Sequence, residues 1–214
     1  MKTAVLIGAT GLIGGEILHQ LINQSLFTEI RILVRRPFTA PDPRVRVLQL
    51  DFTDKEAFRK GIQGSHHVFC AVGTTRSKTP DLKEYRKIDV DIPVTAAKLC
   101  AEENVISFHL VSSVGASGKS SNFYTRMKGE VEDTVSGFSI PGIIFYRPSL
   151  LLGKRKERRT AEKISGGIMK LLTPVIPDKY KPIQASTVAK AMIRDAMSAV
   201  KGTKVYHYAE MIQN

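Results

Sequence analysis

Two residues four positions apart, Tyr124 and Lys128, have the types and spacing for proton transfer. On a helix this spacing places both side chains on one face, about 40° apart in projection. A tyrosine hydroxyl can give a proton to a carbonyl oxygen, and a lysine ammonium beside it stabilises the phenolate form. Ser112 and Ser113 end a predicted strand before this helix, and either hydroxyl could hold a substrate oxygen. These residues predict hydride chemistry at a carbonyl, unless the pair is an ordinary pair on an exposed helix.

A glycine-rich turn near the start of the chain suggests where a cofactor would bind. Gly8, Gly11 and Gly14 lie between an apolar strand and a predicted helix. Such a turn lets the backbone approach a pyrophosphate, to which the helix N-terminus offers N–H groups and a positive dipole end, while Gly14 lets helix and strand pack closely. The spacing is GxxGxxG and not the usual GxGxxG of dinucleotide-binding folds. We predict a dinucleotide site here, with a turn that binds no ligand as the alternative.

The residues after the second predicted strand discriminate between the two nicotinamide cofactors. An NAD site has an acidic residue there, which binds the 2′-hydroxyl of the ribose. This chain has Arg35 and Arg36, and guanidinium groups would attract a 2′-phosphate. The pair predicts NADP(H), or else consists of two surface arginines. Asp51, after the third strand, either accepts from the adenine amino group or belongs to the turn before the next helix.

Strands and helices alternate along almost the whole chain. The patterns predict strands at 3–7, 30–34, 45–50, 68–72, 108–111, 143–146 and 204–207, and helices at 13–22, 54–60, 92–100, 124–135 and 189–200. This alternation predicts an α/β fold, a doubly wound parallel sheet of the Rossmann-like type. Without a linker-like segment, residues 1–214 are expected to form a single domain. Residues 149–182 are irregular and rich in Pro, Lys and Arg, and are predicted to be a lid on the substrate side.

Composition narrows the class of protein. The chain has 214 residues, 43% of them hydrophobic, and two cysteines, Cys70 and Cys100. This balance excludes a disordered chain, and two cysteines are too few for a disulfide scaffold. No segment has the roughly 18 apolar residues that a membrane span needs. The apolar N-terminus resembles a signal peptide, but its glycines would interrupt the hydrophobic helix. These features predict a cytoplasmic protein with no membrane span.

A formal net charge of +12 allows a phosphorylated ligand, a nucleic acid or an anionic surface as partner. The densest basic run, Lys154–Arg159, has no aromatic residues between its charges, as a base-stacking groove would require. We therefore expect no nucleic-acid partner and interpret most of these charges as solvated. The five histidines show no metal-ligand spacing, so no metal site is predicted.

The motifs together resemble those of the short-chain dehydrogenase/reductase superfamily, in its atypical branch. The chain is most similar to the Tat-interacting-protein, oxidoreductase-like group of NADP-binding proteins. The matching segments run from residue 4 to about 160 and are GATGLIG, VRRP, CAVGTTR, LVSSVGA, KSSNFY, TRMKGEVE and YRPSLLLGKRKERR.

The resemblance implies roles for individual residues. It implies that Tyr124 donates or accepts the proton, that Lys128 binds the nicotinamide ribose, and that Ser112 or Ser113 contacts the substrate. It implies cofactor contacts for Gly8, Thr10, Gly11, Leu12, Ile13, Arg35, Arg36, Val72, Gly73 and Arg155. Thr74 belongs to a turn that either lines the nicotinamide side or is an ordinary loop. Asp89 stands where the superfamily has an active-site asparagine, which weakens the case for a complete proton relay.

The best interpretation is an NADP(H)-dependent oxidoreductase acting on a small-molecule carbonyl or alcohol. One alternative is a regulatory protein that binds NADP(H) without catalysis and controls a protein partner, although an intact Tyr124–Lys128 pair would then be unnecessary. Another is a basic nucleic-acid or membrane-surface binder, which the strand–helix pattern disfavours. The sequence is also compatible with a homodimer or a protein partner.

Overall fold

Strands alternate with helices in the computed structural model, which describes residues 1–153, 177–198 and 200–213. The strands are β1 (Lys2–Ile7), β2 (Phe27–Val34), β3 (Val45–Gln49), β4 (His67–Cys70), β5 (Ser107–Val111), β6 (Gly142–Tyr146), β7 (Leu151–Leu152), β8 (Ile183–Gln184) and β9 (Gly202–Tyr206). The helices are α1 (Leu12–Ile22), α2 (Lys55–Ile62), α3 (Leu82–Arg86), α4 (Ile92–Glu102), α5 (Phe123–Ser136), α6 (Ala185–Met197) and α7 (Tyr208–Ile212). A π-helical turn, Lys87–Asp91, joins α3 to α4, and a 3₁₀ turn covers Asp178–Tyr180.

The main sheet has seven strands in the order β3-β2-β1-β4-β5-β6-β9. All of its neighbouring strands are parallel, and β1 lies inside the sheet between β2 and β4. Because chain order reverses on either side of β1, the loops at the carboxyl ends of β1 and β4 are expected to diverge and form the crevice in which sheets of this type bind ligands. The predicted α/β Rossmann-like sheet is confirmed.

Helices cover both faces of the sheet, so its strands carry apolar residues on both sides. Within β1, Ala4 and Leu6 pack into the cluster that contains α1 and α6. Val5 and Ile7 point the other way, into the cluster formed with α2, α4 and α5. This two-sided burial explains why β1 has a continuous apolar run rather than an alternating one.

A line of hydrogen-bonded side chains crosses the first of these faces, and we call it the core chain: His67, Ser107, His109, Tyr146 and Asp195. The Tyr146 hydroxyl donates to Asp195 Oδ2 at 2.7 Å and lies 3.0 Å from His109 Nδ1. Ser107 Oγ lies 2.7 Å from both His109 Nε2 and His67 Nδ1. The single hydroxyl proton of Tyr146 is donated to Asp195, so His109 Nδ1 must donate to the Tyr146 oxygen. By the same reasoning the Ser107 hydroxyl donates to His109 Nε2, and His67 Nδ1 donates to the Ser107 oxygen. His67 Nε2 is then a bare acceptor, buried and without a partner in the described part of the chain.

The predicted lid is described only at its two ends. β7 pairs in parallel with β8, which brings residues 151–152 beside residues 183–184. Residues 154–176 lie outside the described residues, and with them the basic run Lys154–Arg159 and the predicted cofactor residue Arg155. That residues 149–182 form a lid, and that the chain is a single domain, remain predictions.

Candidate functional site

The turn between β1 and α1 brings backbone unusually close to backbone. Gly8 has a φ of +94°, and a Cβ added to Gly14 would lie 2.0 Å from the Gly8 carbonyl oxygen. Gly11 precedes α1 and gives it no side-chain cap, so the first-turn N–H groups have no acceptor from the cap residue. These uncapped amides at the mouth of the crevice fit a pyrophosphate group.

The other residues predicted around this turn differ in what they can offer. Thr10 is exposed, and Leu12 is half-buried and packs partly against the core cluster, so cofactor contacts of these two side chains stay predictions. Ile13 is buried, and its side chain packs into the core cluster with α6. Ile13 can therefore contribute its backbone N–H to a cofactor, but not its side chain.

The cationic pair lies where the sequence predicts it. Arg35 and Arg36 directly follow β2 and are both exposed, whereas the preceding Val34 is buried. Asp51 is also exposed, and its Oδ1 accepts from the Thr53 backbone N–H at 2.9 Å. This hydrogen bond is the main reason that the pKa of Asp51 lies below its ordinary value. The turn role of Asp51 is therefore seen, and its contact with adenine stays a prediction.

Strand β4 ends at Cys70, two residues earlier than predicted, so Val72 and Gly73 lie in the following loop. The loop is anchored by Thr74, whose backbone N–H donates to Asp89 Oδ2 at 2.8 Å. The Thr74 hydroxyl also lies 2.9 Å from that of Thr79. We call residues 72–76 the β4 loop.

Tyr124 and Lys128 lie on α5, as predicted. The helix begins after Asn122, whose side chain accepts from the Tyr124 backbone N–H at 2.9 Å. Tyr124 is 39% exposed and Lys128 only 5%, and the Lys128 ammonium lies 5.9 Å from the centre of the Tyr124 ring. A Cβ on Gly129 would lie 2.1 Å from the Ser117 backbone, so this glycine lets α5 approach the loop after β5.

A buried carboxylate neutralises the Lys128 ammonium, and pattern analysis did not identify this role. Asp89 is 1% exposed, and its Oδ1 lies 3.0 Å from Lys128 Nζ. Burial by itself would lower the pKa of Lys128, but the charges of Asp89 and Tyr124 and the bond to Asp89 together raise it above the ordinary value. The sequence places Asp89 before α4, but it contains no signal that this residue faces α5.

The two candidate serines have different environments. Ser112 is buried and donates its hydroxyl to Glu132 Oε1. Glu132 also accepts from Arg147 Nε at 3.0 Å, so the Ser112 hydroxyl belongs to a buried ion-pair network. Ser113 is half-buried, and within residues 1–153, 177–198 and 200–213 its hydroxyl donates only to the carbonyl of its neighbour Val114, at 3.3 Å. Glu132 lies four residues beyond Lys128 on α5, and this spacing is the signal that could have identified it.

In the described part of the chain, no helix is both long enough and apolar enough to cross a bilayer.

Comparison with known proteins identifies the family of this chain. A family model described as NAD(P)H-binding matches residues 8–135. Protein FMP52, mitochondrial, of Debaryomyces hansenii is 34% identical, over 89% of this chain and 86% of that protein. Protein HTATIP2 of Rattus norvegicus is 29% identical, over 94% of this chain and 84% of that protein. The resemblance to the atypical short-chain group is confirmed.

Solved structures with this fold are more distant in sequence. A UDP-N-acetylglucosamine 4-epimerase from Methanobrevibacter ruminantium has a TM-score of 0.72 at 15% identity, over 96% of this chain and 76% of that one. MoeE5 in complex with UDP-glucose and NAD has a TM-score of 0.70 at 16% identity, over 98% of this chain and 79% of that one. At such low identity these likenesses establish the fold and nothing finer.

The relatives also correct one expectation. The cytoplasmic location predicted from the cysteines and the missing membrane span is contradicted, because several relatives carry the word mitochondrial in their names. Cysteine usage and hydropathy report the redox environment and membrane insertion, and neither property distinguishes these compartments.

Proposed function

Because the chain belongs to the NAD(P)H-binding family, we propose that it is an NADP(H)-dependent oxidoreductase that interconverts a carbonyl and an alcohol. One observation carries this proposal: on one face of α5, an exposed tyrosine lies beside the buried, charged ammonium of Lys128. A regulatory site that only binds the cofactor has no need of a proton donor at this position.

Each residue of the site has a defined part in the proposed reaction. The cofactor, when bound, supplies or accepts the hydride. Tyr124 donates a proton to the carbonyl oxygen during reduction and takes it back during oxidation, and the Lys128 charge stabilises the phenolate left behind. Ser113 orients the substrate oxygen, since the Ser112 hydroxyl is already bonded to Glu132.

The choice of NADP(H) over NAD(H) rests on Arg35 and Arg36. Both are exposed at the end of β2, where a 2′-phosphate would lie in this fold. A charge-assisted hydrogen bond contributes about 1.5–3 kcal/mol, which corresponds to about 10- to 150-fold in affinity. Binding calorimetry should therefore show NADPH at least tenfold tighter than NADH, and Arg35→Asp should remove most of that difference.

A matched charge reversal serves as the control. Lys98 is exposed on α4, and Lys98→Glu changes the net charge of the protein by the same amount as Arg35→Asp. We expect this variant to keep the preference for NADPH. Equal dissociation constants of the wild-type protein for NADPH and NADH would contradict the assignment.

The reaction itself is tested by following NADPH oxidation with a panel of aldehydes, ketones and quinones. We expect turnover of at least one member by the wild-type protein and its loss in Tyr124→Phe. If no member is turned over, while NADPH changes the affinity for a protein partner, the regulatory alternative replaces the enzymatic proposal.

A further inference from the structure

Asp89 connects two parts of the candidate site that are far apart in the sequence. One carboxylate oxygen lies 3.0 Å from Lys128 Nζ on α5, and the other accepts from the Thr74 N–H of the β4 loop at 2.8 Å. The side chain is shielded from water, so both contacts form where the dielectric constant is low and electrostatic interactions are strong.

The backbone that carries Asp89 is a π-helical turn instead of a regular α-helix. Asp89 is the middle residue of the π-helical turn Lys87–Asp91, whose other residues are not fully buried. π-helical turns are rare, and those that occur are frequently found at functional sites. Because a π turn closes its hydrogen bonds over five residues instead of four, the helix faces before and after Asp89 are offset from those of a continuous α-helix.

A nearby ion pair between α3 and α5 serves as a comparison, because it links the two helices without contacting the β4 loop. Arg86 Nη1 lies 3.0 Å from Glu130 Oε2 and joins α3 to α5, but both side chains are exposed to solvent over more than a third of their surface. Exposed pairs of this kind contribute little because water competes for both charges. The Asp89–Lys128 pair joins almost the same elements from the inside, and only this pair also contacts the β4 loop.

We infer that Asp89 is a positioning residue, whose carboxylate fixes the Lys128 ammonium beside Tyr124 and holds the β4 loop at the cofactor crevice. This inference rests on the proposed function for what the two connected parts do. It extends that function because the positions of the β4 loop and of Lys128 on α5 would both depend on one buried carboxylate.

Two substitutions separate the two contacts of Asp89. Asp89→Asn keeps an oxygen for the Thr74 N–H but removes the charge that neutralises Lys128. Asp89→Ala removes both contacts. Glu130→Gln is the matched control, since it removes the exposed ion pair of the same helix and leaves the buried one intact.

The first measurement needs neither cofactor nor substrate. Titration of ¹³C-labelled lysine by NMR, with Lys128→Met to assign the signal, follows the ammonium directly. The groups that face Lys128 are Asp89 from the π turn, Tyr124 from α5 and Cys70 from β4. In Asp89→Asn burial prevails, so the pKa of Lys128 should fall from above to below the ordinary value. An unchanged titration would overturn the inference.

The second measurement concerns the β4 loop. Hydrogen exchange of the Thr74 amide should stay slow in Asp89→Asn and become fast in Asp89→Ala. The dissociation constant for NADPH should rise about three- to tenfold in Asp89→Ala, the size expected for one lost hydrogen bond. A role limited to stability would lower the unfolding temperature of both variants and leave Thr74 exchange and NADPH affinity unchanged, which contradicts the inference.

Instability of Asp89→Asn has its own test, because an unpaired buried ammonium is strongly destabilising. If Asp89→Asn does not fold, the double variant with Lys128→Met should fold, since no buried charge is then left alone. A double variant that also fails to fold would show that the carboxylate is needed for another reason, and the inference would fall.

Turnover distinguishes failure of this inference from failure of the proposed function. Once a substrate is known, Asp89→Asn should lower kcat by about 10²-fold with little change in KM, the size expected for a misplaced catalytic group. The loss of activity at high pH should also begin at a lower pH. If no substrate is found but the Lys128 titration and Thr74 exchange respond, the oxidoreductase proposal fails and the positioning role stands.

Discussion

The Asp89–Lys128 pair and the core chain from His67 to Asp195 are both buried polar networks on this sheet, but they end differently. The pair lies at the carboxyl end of the strands, where the Lys128 ammonium faces the exposed Tyr124. The core chain runs inside the apolar layer beneath α6 and ends at His67 Nε2, which has no hydrogen-bond partner in the described part of the chain.

The difference shows that burial can either preserve the charge of a group or suppress it, depending on the partners of that group. In the Asp89–Lys128 pair both groups stay ionised because their charges are opposite, and the ammonium has donors left for a ligand. In the core chain the uncharged groups from His67 to Tyr146 donate in sequence towards the Asp195 carboxylate, and burial in the core makes their two histidines resist protonation. The pKa of His67 is accordingly lowered to about 4, mainly by burial, and that of His109 is lowered as well. We therefore expect the first network to control chemistry and the second to control stability.

The largest effect is expected from Tyr124→Phe. General acid–base catalysis contributes about 10²–10⁴-fold, so turnover of a carbonyl substrate should fall by that factor. The unfolding midpoint should not move, because Tyr124 is partly exposed and lies outside both core clusters. Steady-state kinetics and thermal melts measure both effects, with the half-buried Tyr208→Phe, outside the predicted lid and the candidate site, as the control. Full turnover in Tyr124→Phe would remove this residue from the mechanism.

Acid should weaken the folded state through the core chain. Unfolded His67 takes up a proton near its ordinary pKa of 6.5, whereas the folded residue does so only near 4. The unfolded state thus binds more protons between these values, and stability is complete above pH 6.5 and declines as the pH falls. The loss from His67 reaches up to about 3 kcal/mol by pH 4, and His109 adds to it in the same direction.

Urea unfolding at pH 8 and pH 5 measures this loss. His67→Asn removes the titrating ring and should flatten the dependence on pH, while His19→Asn, on the exposed side of α1, should not. Identical pH dependence in wild type and His67→Asn would rule out His67 as the source.

A smaller effect is expected from Tyr146→Phe, the core counterpart of Tyr124→Phe. It removes the hydroxyl that donates to the buried Asp195. A hydrogen bond to a charged group is worth about 1.5–3 kcal/mol, so the free energy of unfolding should fall by that amount. NADPH affinity and turnover should stay as in wild type. The half-buried Tyr206→Phe serves as control, and a loss of NADPH affinity in Tyr146→Phe would mean that the two networks are coupled.

Much of the fold could be predicted from the sequence because its signals are local. The apolar run of β1, the glycines after it and the 3–4 periodicity of α1 each involve neighbouring residues. The tyrosine and lysine on α5 are similarly visible, since a spacing of four on a helix places them on one face. Strand order then follows from the rules that govern parallel βα units.

The partners of the buried polar groups were decided only by the tertiary structure. Asp89 and Lys128 are 39 residues apart, and neither helix periodicity nor charge pattern connects them. Likewise, Ser112 and Ser113 are indistinguishable as letters, and only the position of Glu132 shows which hydroxyl is engaged. Long-range pairings depend on how helices rotate and pack against the sheet. The sequence determined which groups exist and on which elements they lie, and packing determined which charges meet.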